Sequence, residues 1–291
     1  MIEPAPPPVQ RVRFRRVLLA LGTASGDPAT VERAAALAAR LRGDLLAVYV
    51  EDIDVARLAE FASVSTLSTV TAATHPLATG HLRDTLRLQV ARLRRELEQA
   101  ALRRRVKLAF QVRQGRLLAE VLSAATDEDL VVLSWAAGDR VPPPWAAALP
   151  PTVVAHGLAA ARARSVLLLH AGAPATGSVL IAFDGSEAAR HALSLGAQVA
   201  ELEEAPVEVV LLDGRLDQLE YWRKEIATAL AQSHLSLAFV TAPKAGLQAL
   251  TEIAFYHRSR LLVLDADRAL AEGDVGRRLL SRLFCSVLLV R

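Results

Sequence analysis

A short apolar run followed by a small polar turn occurs twice in this chain and restricts its architecture more than any other feature. The first copy reads VLLALGTAS from Val17, and the second reads VLIAFDGSE from Val179. Each run resembles a strand covered on both faces of a parallel sheet, and a predicted helix follows each. The copies differ at the strand end, where Gly22 occupies the position of Asp184. The chain therefore contains two versions of one α/β module, and only the second keeps the acidic group.

Length and composition allow two such modules. The chain has 291 residues, about twice the roughly 150 expected per domain, and 52% of them are hydrophobic. We find no uncharged apolar run of about 18 residues and no signal-peptide pattern, so we expect a cytoplasmic protein without membrane insertion. The single cysteine, Cys285, excludes an intramolecular disulfide and a multi-cysteine metal site.

The one dense cluster of basic residues lies on a predicted helix, at about residues 78–104, and just beyond it. The net charge is only +3, and no aromatic residue interleaves the cluster to stack on bases. A solvated helix face explains the cluster, and we expect no nucleic-acid partner. The cluster consists of Arg92, Arg94, Arg95, Arg103, Arg104, Arg105 and Lys107.

Strands and helices alternate in the same order in both copies, which predicts parallel sheets with right-handed crossovers. The four predicted segments are a disordered tail at 1–12, a first domain at 13–171, a linker at 172–177 and a second domain at 178–291.

Two insertions and three local elements complete the prediction. The Ser/Thr-rich insertion 51–75 and the proline-rich loop 139–151 are either binding or ordering elements, or mobile loops without a role. We also expect helices at about 152–163 and 274–283, with only a short loop, DADRALAEGD, after the strand that ends at Asp265.

Three segments resemble the universal stress protein family. VLIAFDGSEAARHALSLGAQVA is similar to the opening of such a domain, and QVRQGRLLAEVLSAATDEDLVVLS is similar to its third strand, helix and fourth strand. CSVLLVR resembles its last strand, with Ser286 in place of proline. The resemblance implies an α/β fold of two tandem, doubly wound, five-stranded parallel-sheet domains of the adenine-nucleotide alpha-hydrolase-like type. It also implies that the last strands pair across a pseudo-two-fold, giving an intramolecular pseudo-dimer.

The resemblance also implies a phosphate loop, and both copies depart from it. Nucleotide-binding members carry Gly-x-x-Gly after strand four and Gly-Ser or Gly-Thr about nine residues later, where backbone amides and a helix N-terminus hold phosphate. In the second copy Asp265 replaces the first glycine, and Gly273-Asp274 falls where Gly-Ser is expected. Together with Asp267, these acids would repel phosphate. In the first copy Trp135 and several prolines occupy the loop.

Each candidate site residue has two interpretations. Asp184 either binds a ligand hydroxyl or amine or caps the turn that follows it, and Ser186 either caps the next helix or contacts a ligand. The histidines show no metal-ligand spacing, and no nucleophile-elbow, Walker A or His-Glu-x-x-His motif occurs, so we assign no catalytic residue and no metal site. If the second domain binds nucleotide, the binding residues are Asp184, Gly185, Ser186, Asp265 and Gly273.

Two functions therefore stay open. The first is a non-catalytic, regulatory or scaffolding subunit that needs no cofactor and acts through a protein partner or as a homo-oligomer. The alternative is a stress protein that senses an adenine nucleotide, ATP or AMP, through its second domain.

Overall fold

The computed structural model describes most of the chain. Gly273, Asp274, the proline-rich loop 139–151 and nearly all of the predicted helix 274–283 lie outside the described residues. The described residues are 12–22, 28–52, 65–67, 74–76, 79–135, 154, 157–158, 161–170, 172–212, 215–242, 246–271 and 283–291.

The described residues include twelve strands and seven helices. The strands are β1 (Arg16–Gly22), β2 (Asp44–Asp52), β3 (Ser65–Leu67), β4 (Thr74–Pro76), β5 (Leu108–Gly115), β6 (Asp129–Trp135), β7 (Ser165–His170), β8 (Val179–Phe183), β9 (Val207–Leu212), β10 (Leu237–Ala242), β11 (Leu261–Asp265) and β12 (Ser286–Val290). The helices are α1 (Pro28–Leu41), α2 (Thr79–Arg104), α3 (Leu117–Ala124), α4 (Glu187–Glu203), α5 (Leu216–Ala229), α6 (Leu247–Tyr256) and α7 (Ala266–Ala271).

Ten of these strands form one sheet in the order β10-β9-β8-β11-β12-β7-β6-β1-β2-β5. Within each half all neighbouring strands are parallel. Both halves have the same topology, because the first strand of each lies between its second and fourth strands. The predicted α/β fold of two doubly wound, five-stranded parallel units is confirmed.

The halves meet through their last strands. β7 and β12 pair antiparallel, with Val287 opposite Leu168 and Val290 opposite Ser165, and every residue of both strands is buried. Ser286, which stands where the resemblance expects proline, accepts a hydrogen bond from the backbone N–H of His170 at 3.2 Å. The edge that each half would otherwise expose is thereby used within one chain.

Helices cover both faces of the sheet, which explains the uninterrupted apolar runs. Successive residues of β1 enter different cores. Val17 and Leu19 belong to the core on the face covered by α1, α2, α4 and α5, whereas Leu18 belongs to the core on the face covered by α3 and α6. Cys285 is 3% exposed and belongs to the second core. Among the described helices, none combines the length and apolarity needed to cross a bilayer.

The basic face of α2 is paired with acids. Arg92 and Arg94 contact glutamates one turn further along the helix at 2.8 and 3.0 Å. Arg103 and Arg104 both contact Glu32 of α1, at 2.9 and 2.8 Å. The face is thus solvated and partly neutralised.

Three local predictions are corrected. Part of the Ser/Thr-rich insertion is an antiparallel hairpin of β3 and β4 rather than a loop. The helix predicted to reach 163 does not, since residues 161–164 have no helical structure. The predicted short loop after β11 contains α7, because Asp265 accepts the N–H of Asp267 at its start and ADRALA is rich in helix formers.

Candidate functional site

The candidate site lies at the topological switch point of the second half. From β8 the chain continues to β9 on one side of the strand and later returns to β11 on the other. The carboxyl ends of β8 and β11 therefore border a crevice, the usual ligand position in an open α/β sheet. Asp184 follows β8 and Asp265 ends β11, so the topology brings these two predicted residues to one place.

Both carboxylate oxygens of Asp184 have partners. Oδ1 accepts the backbone N–H of Ser186 at 3.0 Å, and Oδ2 accepts Nη2 of Arg268 at 2.9 Å. Burial alone would raise the pKa of Asp184, but the hydrogen bonds from Ser186 and the guanidinium of Arg268 outweigh it, and the pKa is lowered. The side chains of Asp184 and Arg268 are only 23% and 18% exposed, so this ion pair is partly desolvated. Asp184 is an ionised group held within the protein's own structure.

The next two residues of the turn are also engaged. Ser186 is the N-cap of α4, and its Oγ accepts the N–H of Ala189 at 3.0 Å. Gly185 has φ +78°, and a Cβ built there would lie 2.4 Å from the ring of Trp222. Trp222 in turn packs edge-on against Phe183, with ring centroids 5.8 Å apart. An indole ring therefore covers the turn at which a ligand would approach the backbone.

Arg190 of α4 also covers the turn at Gly185. Its guanidinium donates to the carbonyl oxygen of Gly185 and forms an ion pair with Glu225 of α5 at 2.7 Å. Neither this pair nor Arg268 and Trp222 is foreseen from the sequence. The sequence gives only a weak signal for these residues, because each lies on a helix and no neighbouring residue indicates that it contacts the turn.

Asp265 differs in environment from Asp184. Burial raises the pKa of Asp265, and the charges of Asp267 and Asp184 raise it further, although the N–H of Asp267 opposes this by donating to Oδ1. The two crevice acids are therefore shifted in opposite directions. Arg268 is matched by Asp184, so the remaining carboxylates give this crevice an electrostatic bias against an incoming phosphate.

The first half lacks the corresponding acid. Its switch point lies between β1 and β6, where Gly22 ends β1. At the opposite end of the same two strands is a partly buried ion pair that no local sequence pattern indicates. Arg16 donates through Nε and Nη2 to the two oxygens of Asp129 at 2.7 and 2.8 Å. This pair ties β1 to β6 and takes no part in the crevice.

Metal binding receives no support from the part of the chain that the structure describes. Within it, no three histidine, cysteine or acidic side chains are grouped so as to hold a metal ion. Gly273, the fifth predicted binding residue, lies outside the described residues.

Comparisons with known proteins identify the fold. No protein-family model matches the sequence, and no curated protein matches it. Among solved structures, a universal stress protein from Archaeoglobus fulgidus DSM 4304 covers 96% of this chain and 97% of its own, with TM-score 0.62 and 12% identity.

Two Pseudomonas aeruginosa structures agree, both at 16% identity. A protein assigned to the universal stress proteins, from strain UCBPP-PA14, covers 95% of this chain and 93% of its own, with TM-score 0.55. A functionally unknown protein from strain PAO1 covers 95% and 92%, with TM-score 0.54. The part of the chain that the structure describes therefore has the fold of these proteins, as the three sequence segments predict.

Proposed function

We propose that this chain is a tandem universal stress protein of the cytoplasm that acts as a non-catalytic regulatory or scaffolding subunit through protein contacts. The observation that carries the proposal is the ion pair between Asp184 and Arg268. The one acidic group that the repeat retains at the end of its first strand is bound by the protein itself. Its role in the folded chain is to hold the start of α7 against the end of β8.

The junction of the halves supports a scaffold. Antiparallel pairing of β7 with β12 makes a pseudo-dimer within a single chain, so pairing of the last strands requires no second molecule. Helix surfaces on both faces of the ten-stranded sheet are then left for other contacts. One chain thus presents two related units in a fixed relationship, which is useful to a protein that acts by holding partners.

The crevice also fits a phosphate poorly. A phosphate cradle requires free backbone amides beside a bare turn. In the second half the Ser186 amide donates to Asp184, the Ala189 amide donates to Ser186, and Trp222 covers Gly185. In the first half Gly22 offers no side chain to orient a nucleoside. These contacts support a function that does not depend on nucleotide.

One observation favours the second candidate, adenine-nucleotide sensing. Arg268 places a guanidinium at the switch point, and a guanidinium binds phosphate as well as carboxylate. A nucleotide could compete with Asp184 for Arg268, and α7 would then respond to the ligand. This candidate requires the nucleotide to break a partly desolvated ion pair, so its affinity would be reduced by that cost.

A thermal-shift titration with ATP and AMP, each with and without Mg²⁺, separates the two candidates. A ligand at 100 times its dissociation constant stabilises the binding state by about 2.7 kcal/mol, which is readily visible. We expect no saturable rise in melting temperature for the wild type, Arg268→Ala or Asp184→Ala. Arg215→Ala is the matched control, because Arg215 forms an exposed ion pair with Asp217 at the start of α5.

Nucleotide binding would give a different pattern of thermal shifts among these variants. A saturable rise for the wild type and for Arg215→Ala, lost in Arg268→Ala, would overturn the scaffold proposal and establish the sensor. A rise retained in Arg268→Ala but lost in Asp184→Ala would also contradict the scaffold, and would assign ligand binding to the carboxylate.

A further inference from the structure

Three exposed aromatic side chains form a cluster at the end of α6, away from the crevice. Phe255, Tyr256 and Phe284 are 63%, 80% and 62% exposed. The ring of Phe255 lies 5.9 Å from that of Tyr256 and 6.0 Å from that of Phe284, between centroids. We call these three residues the aromatic patch. In a chain with only 4% aromatic residues, a contiguous exposed group of three is a concentration of the kind that marks an interaction surface.

The patch is not an unfinished part of the core. Helix α6 already buries Leu247, Leu250 and Ala254 against the sheet, so its inward face is complete. Phe255 and Tyr256 lie outside that face. They border a groove of about 550 Å³ whose other side is the segment of Phe284 that leads into β12. Aromatic side chains that flank such a groove are well suited to anchor a partner.

Charges on either side of Phe255 indicate which partner fits. Glu252 lies three residues before Phe255 and Arg258 three residues after it, both exposed and both lining the same groove. At 1.5 Å per helical residue, Glu252 is displaced by about 4.5 Å from Phe255 toward the start of the helix. Arg258 lies on the other side of Phe255, beyond the end of α6 at Tyr256, where its backbone is left-handed with φ 51°. Within the described residues, Glu252 accepts a hydrogen bond only from Gln248, and Arg258 has no side-chain ion pair.

This arrangement of opposite charges about a central aromatic residue is self-complementary. If two α6 helices pack antiparallel with a two-fold axis at Phe255, then Glu252 of each copy lies opposite Arg258 of the other. Such isologous matching is the requirement for a symmetric dimer. A partner carrying a single sign of charge would leave one of the two residues opposite a like charge.

We propose that the aromatic patch is a self-association surface on which a second copy of this chain packs with α6 antiparallel to α6. The β7–β12 junction stays within each chain, so the assembly is a dimer of tandem pairs. This inference goes beyond the proposed function and is independent of nucleotide binding, because the patch and the crevice involve different residues.

The test is sedimentation of the full chain from micromolar to hundreds of micromolar concentration, without nucleotide. The wild type is expected to form a dimer. Glu252→Arg and Arg258→Glu should each weaken the dimer by about tenfold or more, because two-fold symmetry turns one substitution into two like-charge contacts. The double reversal should recover most of the wild-type affinity, since it restores opposite charges at both positions.

Two further variants calibrate the result. Phe255→Ala removes the residue at the axis and should abolish the dimer. Leu216→Ala is the matched control, because Leu216 is 84% exposed on α5 and should leave the dimer unchanged. All positions are on the surface, so circular dichroism should show native melting for every variant.

Any of three outcomes overturns the proposal. A wild type that stays monomeric over the whole concentration range refutes the proposed dimer. If an apolar dye then binds this monomer, and binding is lost in Phe255→Ala, the groove is assigned to a small ligand instead. A dimer that is indifferent to Phe255→Ala uses another surface. A double reversal that is as weak as the single variants contradicts the antiparallel arrangement.

Discussion

Replacing either member of the Arg16–Asp129 pair is expected to destabilise the protein, and by unequal amounts. Asp129 is 1% exposed, whereas the side chain of Arg16 is 30% exposed. Besides the two bonds from Arg16, a carboxylate oxygen of Asp129 accepts the backbone N–H of Thr126 at 2.7 Å. Arg16 also donates to the carbonyl oxygen of Ala124 at 3.0 Å. The pair thus joins β1, the end of α3 and β6.

The different exposures of the Asp129 and Arg16 side chains determine how much stability each substitution is expected to cost. Removing one partner of a buried ion pair costs about 3–5 kcal/mol. For Asp129→Ala we expect about 3 kcal/mol, the low end, because the remaining guanidinium reaches water. For Arg16→Ala we expect about 5 kcal/mol, because the carboxylate left behind is sealed and keeps only the Thr126 amide. The double variant should recover about 2–3 kcal/mol of the summed losses, which is the coupling energy.

Urea unfolding of the wild type, both single variants and the double variant at pH 7 gives this cycle. The control cycle is Arg92 and Glu96, an i,i+4 pair of α2 whose side chains are 73% and 25% exposed. There we expect a coupling of about 0.3–0.5 kcal/mol. If the two cycles give equal couplings, or if Asp129→Ala costs more than Arg16→Ala, then burial does not determine the strength of these pairs as argued.

Three further predictions concern the second half. Gly185→Ala should lower the free energy of unfolding by about 1–3 kcal/mol, because of the positive φ and the contact with Trp222; unchanged urea unfolding would show that the ring moves aside. Burial raises the pKa of Cys285 to about 12. At pH 8 this thiol should therefore react with a disulfide reagent at least about a thousandfold more slowly in the folded protein than in urea. Comparable rates would contradict its burial. The pKa of Asp184 is lowered in the folded state, so its ionised form stabilises the protein above the unfolded-state pKa of about 3.9, and this contribution is lost as pH falls through the folded-state pKa. The stability difference between the wild type and Asp184→Asn should accordingly be full at pH 5–7 and shrink below about pH 4, whereas a difference independent of pH would mean that ionisation of Asp184 does not stabilise the fold.

Predictions from sequence succeed where the signal is carried by neighbouring residues. The strand Val179–Phe183 and the helix Glu187–Glu203 were both expected, because an apolar run and an N-capping Ser186 are local patterns. The parallel arrangement follows from the alternation of such elements. Asp184 and Asp265 could also be placed together, since the carboxyl ends of parallel strands lie on one edge of the sheet.

The helix Ala266–Ala271 shows where local reasoning is insufficient. The resemblance predicts a phosphate loop after β11, and the acids in this segment predict a short loop that binds phosphate poorly. In the structure Asp265 instead caps a helix, which carries Arg268 to within 2.9 Å of Asp184. The high helix propensity of ADRALA is the local signal that indicates α7.

Local patterns along the chain are sufficient to predict the duplicated α/β architecture, the positions of most helices and strands, and the presence of one retained acid in the second copy. These depend on periodicity and capping within a few residues. The role of that acid depends on the three-dimensional fold, because its partner lies 84 positions away along the chain. The same holds for Arg16 and Asp129, which are 113 positions apart, and for the aromatic patch, which unites α6 with the segment before β12. Such pairings are set by how strands are ordered in the sheet, and no local pattern in the chain records them.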